Sequence, residues 1–390
     1  LAKLVELLRR TERHAELTVR LDALSNLTPQ PARDSRLARA KLFADKLSRL
    51  DSAPTELARI LGDIAPNDLE VLTLLADYAQ RSNDLPLYAK TEEQRMELLD
   101  TVDARIEVAE PLAKLLEERL KDEAGALRVL EFWMRQAPSA PQPYLRAVPL
   151  YERTGKDAAL LSALDALATL AMAEDEAAEL LLRAARVAMK SGDYEGAWNR
   201  LVPRVVESDD AQFEAVLKEL AQAAGRGNAL AELYVGLAQR PGDVAYEKRR
   251  WLDAAQVYEG MVQAPDKALE AMLRALAKDA GNVTLLDEAD RLAELAKAWP
   301  RLTQVYDALA RREPLLEGRI RILMRLSERL EQRGHDLPAA FERAALAFQL
   351  DATREETYLE AKRLARAADK LEELLALHER RSVGANDVGG

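Results

Sequence analysis

Arginine is the residue type in this chain whose spacing most invites a chemical reading. Arg183 and Arg186, Arg249 and Arg250, and Arg321, Arg325 and Arg329 recur at helical intervals in three successive stretches. A guanidinium group carries a planar fork of donors that fits a carboxylate in pairs, so such a row implies a basic stripe for an acidic partner. The six candidates for partner contact are therefore Arg183, Arg186, Arg249, Arg250, Arg321 and Arg325. A plainer reading of the same residues is a solvated helix face, each arginine paired locally with an acid such as Glu179, Glu247 or Glu328.

Other reactive groups are sparse. There is no Cys, and His14, His335 and His378 stand far apart. Disulfides, thiolate metal sites and cysteine nucleophiles are excluded, and no histidine has a partner at metal-ligand spacing. Gly225-Arg226-Gly227 looks like the opening of a dinucleotide loop, yet Leu230 stands where the third glycine belongs and no strand precedes it. Asp209-Asp210 has the composition of a hydrolytic pair, but acids also gather at helix starts to cap the chain and meet its dipole. No H-E-x-x-H, phosphate loop or G-x-S-x-G occurs. No catalytic residue, metal site or cofactor is expected. Trp133, Trp198, Trp251 and Trp299 are of a type found at binding hot spots, although core packing accounts for them more simply.

Elements that could position such residues must come from 390 residues with 56 Lys+Arg against 67 Asp+Glu, a net charge of −11. That acidity argues against a nucleic-acid platform. Apolar residues at 48% suffice for a core, and charged residues at 32% with a mean hydropathy of −0.27 place the chain among soluble proteins. Ala166 to Ala173, the longest uncharged central run, falls far short of the roughly 20 residues that span a bilayer, so no membrane insertion is expected.

The chain repeats. Ala126, Ala197, Ala268 and Ala340 sit in similar contexts at spacings of 71, 71 and 72. Half a period later Leu87, Leu160, Leu230, Leu302 and Leu371 follow at 73, 70, 72 and 69. Two anchor series in step imply tandem modules, here five: 35–105, 106–177, 178–248, 249–318 and 319–382. Residues 1–34 read as the closing half of a preceding module, because "AKLVELLRRTERHAEL" resembles "DKLEELLALHERRSV" near the other end; 383–390 read as a flexible tail. In the third module Leu180, Leu181, Val187 and Ala188 mark one helical face. Breaks at Gly, Asp, Asn and Ser divide it into four helices near 177–190, 194–207, 210–224 and 228–239. Pro111, Pro149 and Pro203 interrupt apolar-periodic stretches and should kink or shorten their helices, whereas Pro300 and Pro338 suit helix starts. No alternating β-branched run appears, so the class is all-α.

A module of four helices is two hairpins of about 35 residues, the length of tetratricopeptide units. The segment Gly192-Asp193-Tyr194-x-x-Ala197-x-x-x-Leu201 resembles the turn and second helix of that repeat, and Ala254, Tyr258 and Pro265 repeat the theme. The Trp and Leu-Gly of that family's first helix are not consistently present. The resemblance, to a degenerate tetratricopeptide-like array of a larger bacterial repeat protein, covers essentially the whole chain. It implies a right-handed α-α superhelix of antiparallel hairpins whose first helices line a concave surface.

The function implied is a non-catalytic scaffold or adaptor that binds segments of other proteins, with self-association through exposed apolar ends as a further option. The alternatives are an RNA-binding helical repeat and a ligand- or peptide-sensing domain. The chain begins at Leu1 without a leader pattern, and cytoplasm and periplasm are equally compatible.

Overall fold

The computed structural model describes residues 2–24 and 29–377; His378 and the expected tail at 383–390 lie outside them. The described residues are helical with no strand. The chain forms two compact units, Leu1–Asp193 and Tyr194–Gly390, and the boundary falls inside the stretch 178–248.

The first unit holds α1 (Ala2–Arg10), α2 (His14–Leu24), α3 (Pro29–Asp45), α4 (Ala53–Asp63), α5 (Leu69–Arg81), α6 (Leu85–Leu98), α7 (Val102–Leu115), α8 (Glu123–Gln136), α9 (Pro141–Thr154), α10 (Asp157–Leu170) and α11 (Glu174–Ser191). The second holds α12 (Tyr194–Glu207), α13 (Ala211–Ala223), α14 (Gly227–Ala238), α15 (Val244–Val257), α16 (Pro265–Leu276), α17 (Val283–Leu295), α18 (Trp299–Arg312), α19 (Leu316–Gln332), α20 (Leu337–Leu350) and α21 (Glu355–Ala367), with a further helical stretch at 371–377. Within each unit every helix packs on its neighbours in sequence.

Each hairpin turns on one left-handed residue. These are Glu12, Ser48, Asn83, Lys121, Gly155 and Gly192 in the first unit and Gly225, Gln263, Lys297, His335 and Asp369 in the second, 33 to 38 residues apart. A left-handed residue after a helix turns the chain so that the next N–H can reach back to an orphan carbonyl. Lys156 N–H thus donates to Tyr151 O at 3.0 Å and Arg226 N–H to Ala221 O at 2.7 Å. After Asn83, Lys121 and His335 the next helix is capped by an acid: Asp84 accepts from Leu87 N–H, Asp122 from Gly125 N–H and Asp336 from Ala339 N–H. Asp336 is the expected cap, and His335 before it is the left-handed turn residue.

Gly225 and Gly227 have a structural origin. Gly225 has φ +66°, and a Cβ on Gly227 would stand 2.9 Å from the Met261 Cβ, so the start of α14 passes directly against the segment Tyr258–Val262. That segment is a π-turn continuing α15, and a matching one at Leu116–Leu120 continues α7, 142 residues earlier. Helices run through Pro111, Pro149 and Pro203 rather than stopping at them. Pro300 and Pro338 occupy first-turn positions, where a missing N–H is harmless.

Ala126, Ala197, Ala268 and Ala340 are all wholly buried. Their small side chains permit close helix approach. Leu160, Leu230 and Leu302 are buried too, Leu87 is half-buried, and Leu371 is 43% exposed. On α11 the deepest residues are Leu182, Ala184, Ala185 and Ala188, while Leu180, Leu181 and Val187 are half-buried. Of the two terminal sequences that look alike, the N-terminal one forms α1 and enters α2 across the turn at Glu12, and the other starts at the left-handed Asp369 and passes outside the described residues from 378. Both are amphipathic with leucines three and four apart, a pattern shared by first and second helices of a hairpin.

Candidate functional site

The first helix of each hairpin carries the candidate arginines, and the structure gives them partners the local spacing did not indicate. Arg183 on α11 donates to Glu152 on α9 at 2.6 Å. Arg186 is exposed and takes part in no ion pair among the described residues. Arg249 pairs with Asp209, lies 3.8 Å from Glu214, and is 49% exposed. On α19, Arg321 donates to the carbonyl of Gly281 at 2.6 Å and lies 3.4 Å from Glu317. Arg325 donates to Asp290 at 2.6 Å and pairs with Asp287, both on α17.

Arg250 departs from the surface position expected of it. Its side chain is wholly buried, 2.5 Å from Asp209 and 3.2 Å from Asp253, and paired with Glu214. The guanidinium lies over Tyr246 at 5.0 Å and Tyr234 at 5.5 Å. The reason is placement on α15: Arg250 lies four residues before Ala254, on the stripe that packs inward with Ala254 and Val257. A charge there is tolerated only because carboxylates and ring faces surround it. Burial pushes the Asp253 carboxyl upward, against the pull of Lys218 and Arg250. Asp209 and Asp210 therefore have structural roles, the first as a partner of these arginines and the second as the cap of α13, accepting from Gln212 N–H.

A second buried cluster centres on Asp290. It accepts from Arg325 Nε at 2.6 Å and Arg329 Nε at 2.8 Å, and Tyr306 Oη lies 3.0 Å away. Burial, with Asp290 beside it, pushes the Tyr306 hydroxyl upward. The common rule is a basic residue reaching an acid one hairpin back: Arg128 to Glu93, Arg226 to Glu195, Arg291 to Glu259 and Arg363 to Glu331, at separations of 31 to 35. The separation itself was the available signal, since it equals one hairpin.

Trp133 is buried, and Trp198, Trp251 and Trp299 are half-buried. Arg226 stacks over Trp198 at 5.5 Å and Arg333 over Trp299 at 5.6 Å.

With these charges engaged, a groove of about 620 Å³ crosses the first helices α17, α19 and α21. Val283, Met324 and Leu359 supply its apolar lining, with Val283 46% and Leu359 53% exposed. Arg321 and Arg325 line it as well, together with Glu328 and Glu356. The repeat anchors and the arginines of α11 and α15 do not reach it. Val283, Met324, Leu359 and Glu356 were not singled out in the sequence, because an exposed apolar residue inside an amphipathic helix has no periodic signature. Among the described residues no group of three or more His, Asp or Glu is placed to hold a metal ion. No helix of the described residues is long and apolar enough to cross a membrane.

No protein-family model matches the chain, and no curated protein matches it significantly. Solved structures similar to it include the Naa15/Naa10 complex bound to HypK-THB, at 14% identity over 97% of this chain and 62% of that one, with a TM-score of 0.32. The chain thus spans about three fifths of that protein's length. Another is the TPR domain of P58(IPK), at 13% identity over 95% and 97% of the two chains and a TM-score of 0.24. A third is a tetratricopeptide repeat protein from Parabacteroides merdae, at 15% identity over 67% and 98% and a TM-score of 0.23.

Proposed function

We propose that the chain is a non-catalytic scaffold that holds segments of other proteins on the first-helix face of its hairpins, working as five tandem modules within a larger assembly. The observation that carries this reading is the groove across α17, α19 and α21. There α17 and α21, the first helices on either side of α19, expose Val283 and Leu359 beside charged side chains. Apolar side chains held open on a helical framework, rimmed by polar groups, are what partner recognition requires. Nucleic-acid binding is the weaker alternative, because most of the arginines that would meet phosphate already face carboxylates.

A photo-crosslinking side chain at position 359, compared with one at Leu346 on α20, tests the reading in cells. Discrete protein adducts from 359 and none from 346 are the expected result. Adducts from neither position, or equal adducts from both, overturn the assignment to this face.

A further inference from the structure

We propose that the groove over α17, α19 and α21 takes a basic amphipathic segment of a partner protein, with lysines or arginines beside apolar side chains. This is opposite in sign to the acidic partner that the arginine row in the sequence implies. The proposal rests on the reading of this face as an interaction surface and adds the charge of what it holds.

Some charges on this face are already answered and others are left over. Arg325 is held by Asp287 and Asp290, and Arg321 by the Gly281 carbonyl and Glu317. Arg363 forks onto Glu331, at 2.8 and 2.5 Å, and is 2.7 Å from Glu360. An incoming carboxylate would have to displace an internal one from each of these guanidinium groups. The acids are not all so engaged. Glu356 is exposed and forms no ion pair among the described residues. Glu328 accepts only from the Gln332 amide at 3.1 Å, with Arg329 standing off at 3.9 Å. The groove's own lining holds four carboxylates (Glu328, Glu331, Glu356 and Glu360) against three guanidinium groups (Arg321, Arg325 and Arg363), and Asp287, Asp290 and Glu317 pair with Arg321, Arg325 and the neighbouring Arg329. The surplus leaves a negative potential above an apolar lining. A ligand with cations beside apolar side chains complements both, whereas an acidic one meets repulsion.

The experiment uses the full chain and two labelled peptides of roughly 14 residues, about four helical turns. They share one leucine pattern, and one fills the other face with lysine, the other with glutamate. Fluorescence anisotropy at about 0.1 M salt, where charges still act over about 10 Å, reads the affinities. The lysine peptide is expected to bind about tenfold or more tightly than the glutamate peptide. Glu328→Lys with Glu356→Lys should reverse that order, while Asp175→Lys with Glu176→Lys on exposed α11 should leave it unchanged. All four positions are exposed, and circular dichroism checks that helicity is kept. Equal affinities, or indifference of the lysine peptide to the reversal at 328 and 356, overturn the assigned sign. If Leu359→Ser weakens binding all the same, the interaction face survives; if it changes nothing, the face falls as well.

Discussion

Arg250→Met is expected to destabilise the second unit by about 3–5 kcal/mol, the cost of removing one partner from a buried ion pair. The figure follows from who is left behind. Of the three carboxylates around the guanidinium, Asp209 is 46% exposed and can rehydrate, but Glu214 and Asp253 are only 13% and 17% exposed. Met keeps most of the apolar volume against Tyr234 and Tyr246, so the loss is chiefly electrostatic. Arg249→Met provides the control, since Arg249 reaches the same Asp209 from a side chain 49% exposed and should cost less than about 1 kcal/mol. Because arrays of hairpins open in parts, the readout must be local. Amide exchange along α13 to α15 should quicken by roughly 10²- to 10⁴-fold in Arg250→Met, at about 1.4 kcal/mol per factor of ten. The deficit should also shrink on acidification. Burial raises the Asp253 carboxyl above its unfolded value, so the folded state prefers it protonated, and the penalty for ionising it grows as pH rises through the folded value. A deficit equal in the two variants, or one that deepens toward pH 4, refutes this account.

Two further outcomes follow from burial and pairing. Leu302→Ala, at a wholly buried position, should cost about 2–5 kcal/mol, whereas Leu371→Ala, 43% exposed at the equivalent repeat position, should cost under about 1 kcal/mol by chemical denaturation. Asp68, Glu288 and Glu331 are held below the usual carboxylate range by hydrogen bonds from Arg33, Arg291 and Arg363. Their folded values lie below the unfolded ones, so their contribution is present above about pH 4 and lost as pH falls through the folded values. Thermal melting should therefore drop below that pH and become less pH-sensitive in molar salt; a melting temperature flat down to pH 2 counts against it.

The helices were legible because two signals agree in this chain: apolar residues at three- and four-residue intervals, and Gly, Asp or Asn at the breaks. In the third module the expected 194–207 and 210–224 differ from α12 and α13 by no more than a residue at either end. The alanine anchors were legible because a small side chain at a helix crossing leaves a strict period. The π-turns were not, since Leu116–Leu120 and Tyr258–Val262 have only one identical residue type in register, Glu117 and Glu259, too little to mark a turn, and a non-glycine left-handed residue follows each. Nor was the fate of Arg250. Its one local sign of burial is Ala254 four residues on, on the inward stripe, and Asp209, which meets it, is 41 residues distant in sequence.

That distance bears on how a degenerate repeat keeps its hairpins in order. Leucine stripes on successive helices are nearly interchangeable, so apolar packing alone leaves rotation and register of one hairpin on the next weakly specified. Exposed ion pairs contribute little net stability, but those that run between hairpins each join one named residue to another about a hairpin away, and a slipped register separates all of them at once. Arg250 and Asp290 place that specification inside the core, where a misplaced charge is costly. The same pairing decides what remains for a partner. Once Arg183, Arg321, Arg325 and Arg363 are turned toward the chain's own acids, recognition on the first-helix face falls to the side chains left unanswered, and in the groove over α17, α19 and α21 those are apolar or negative.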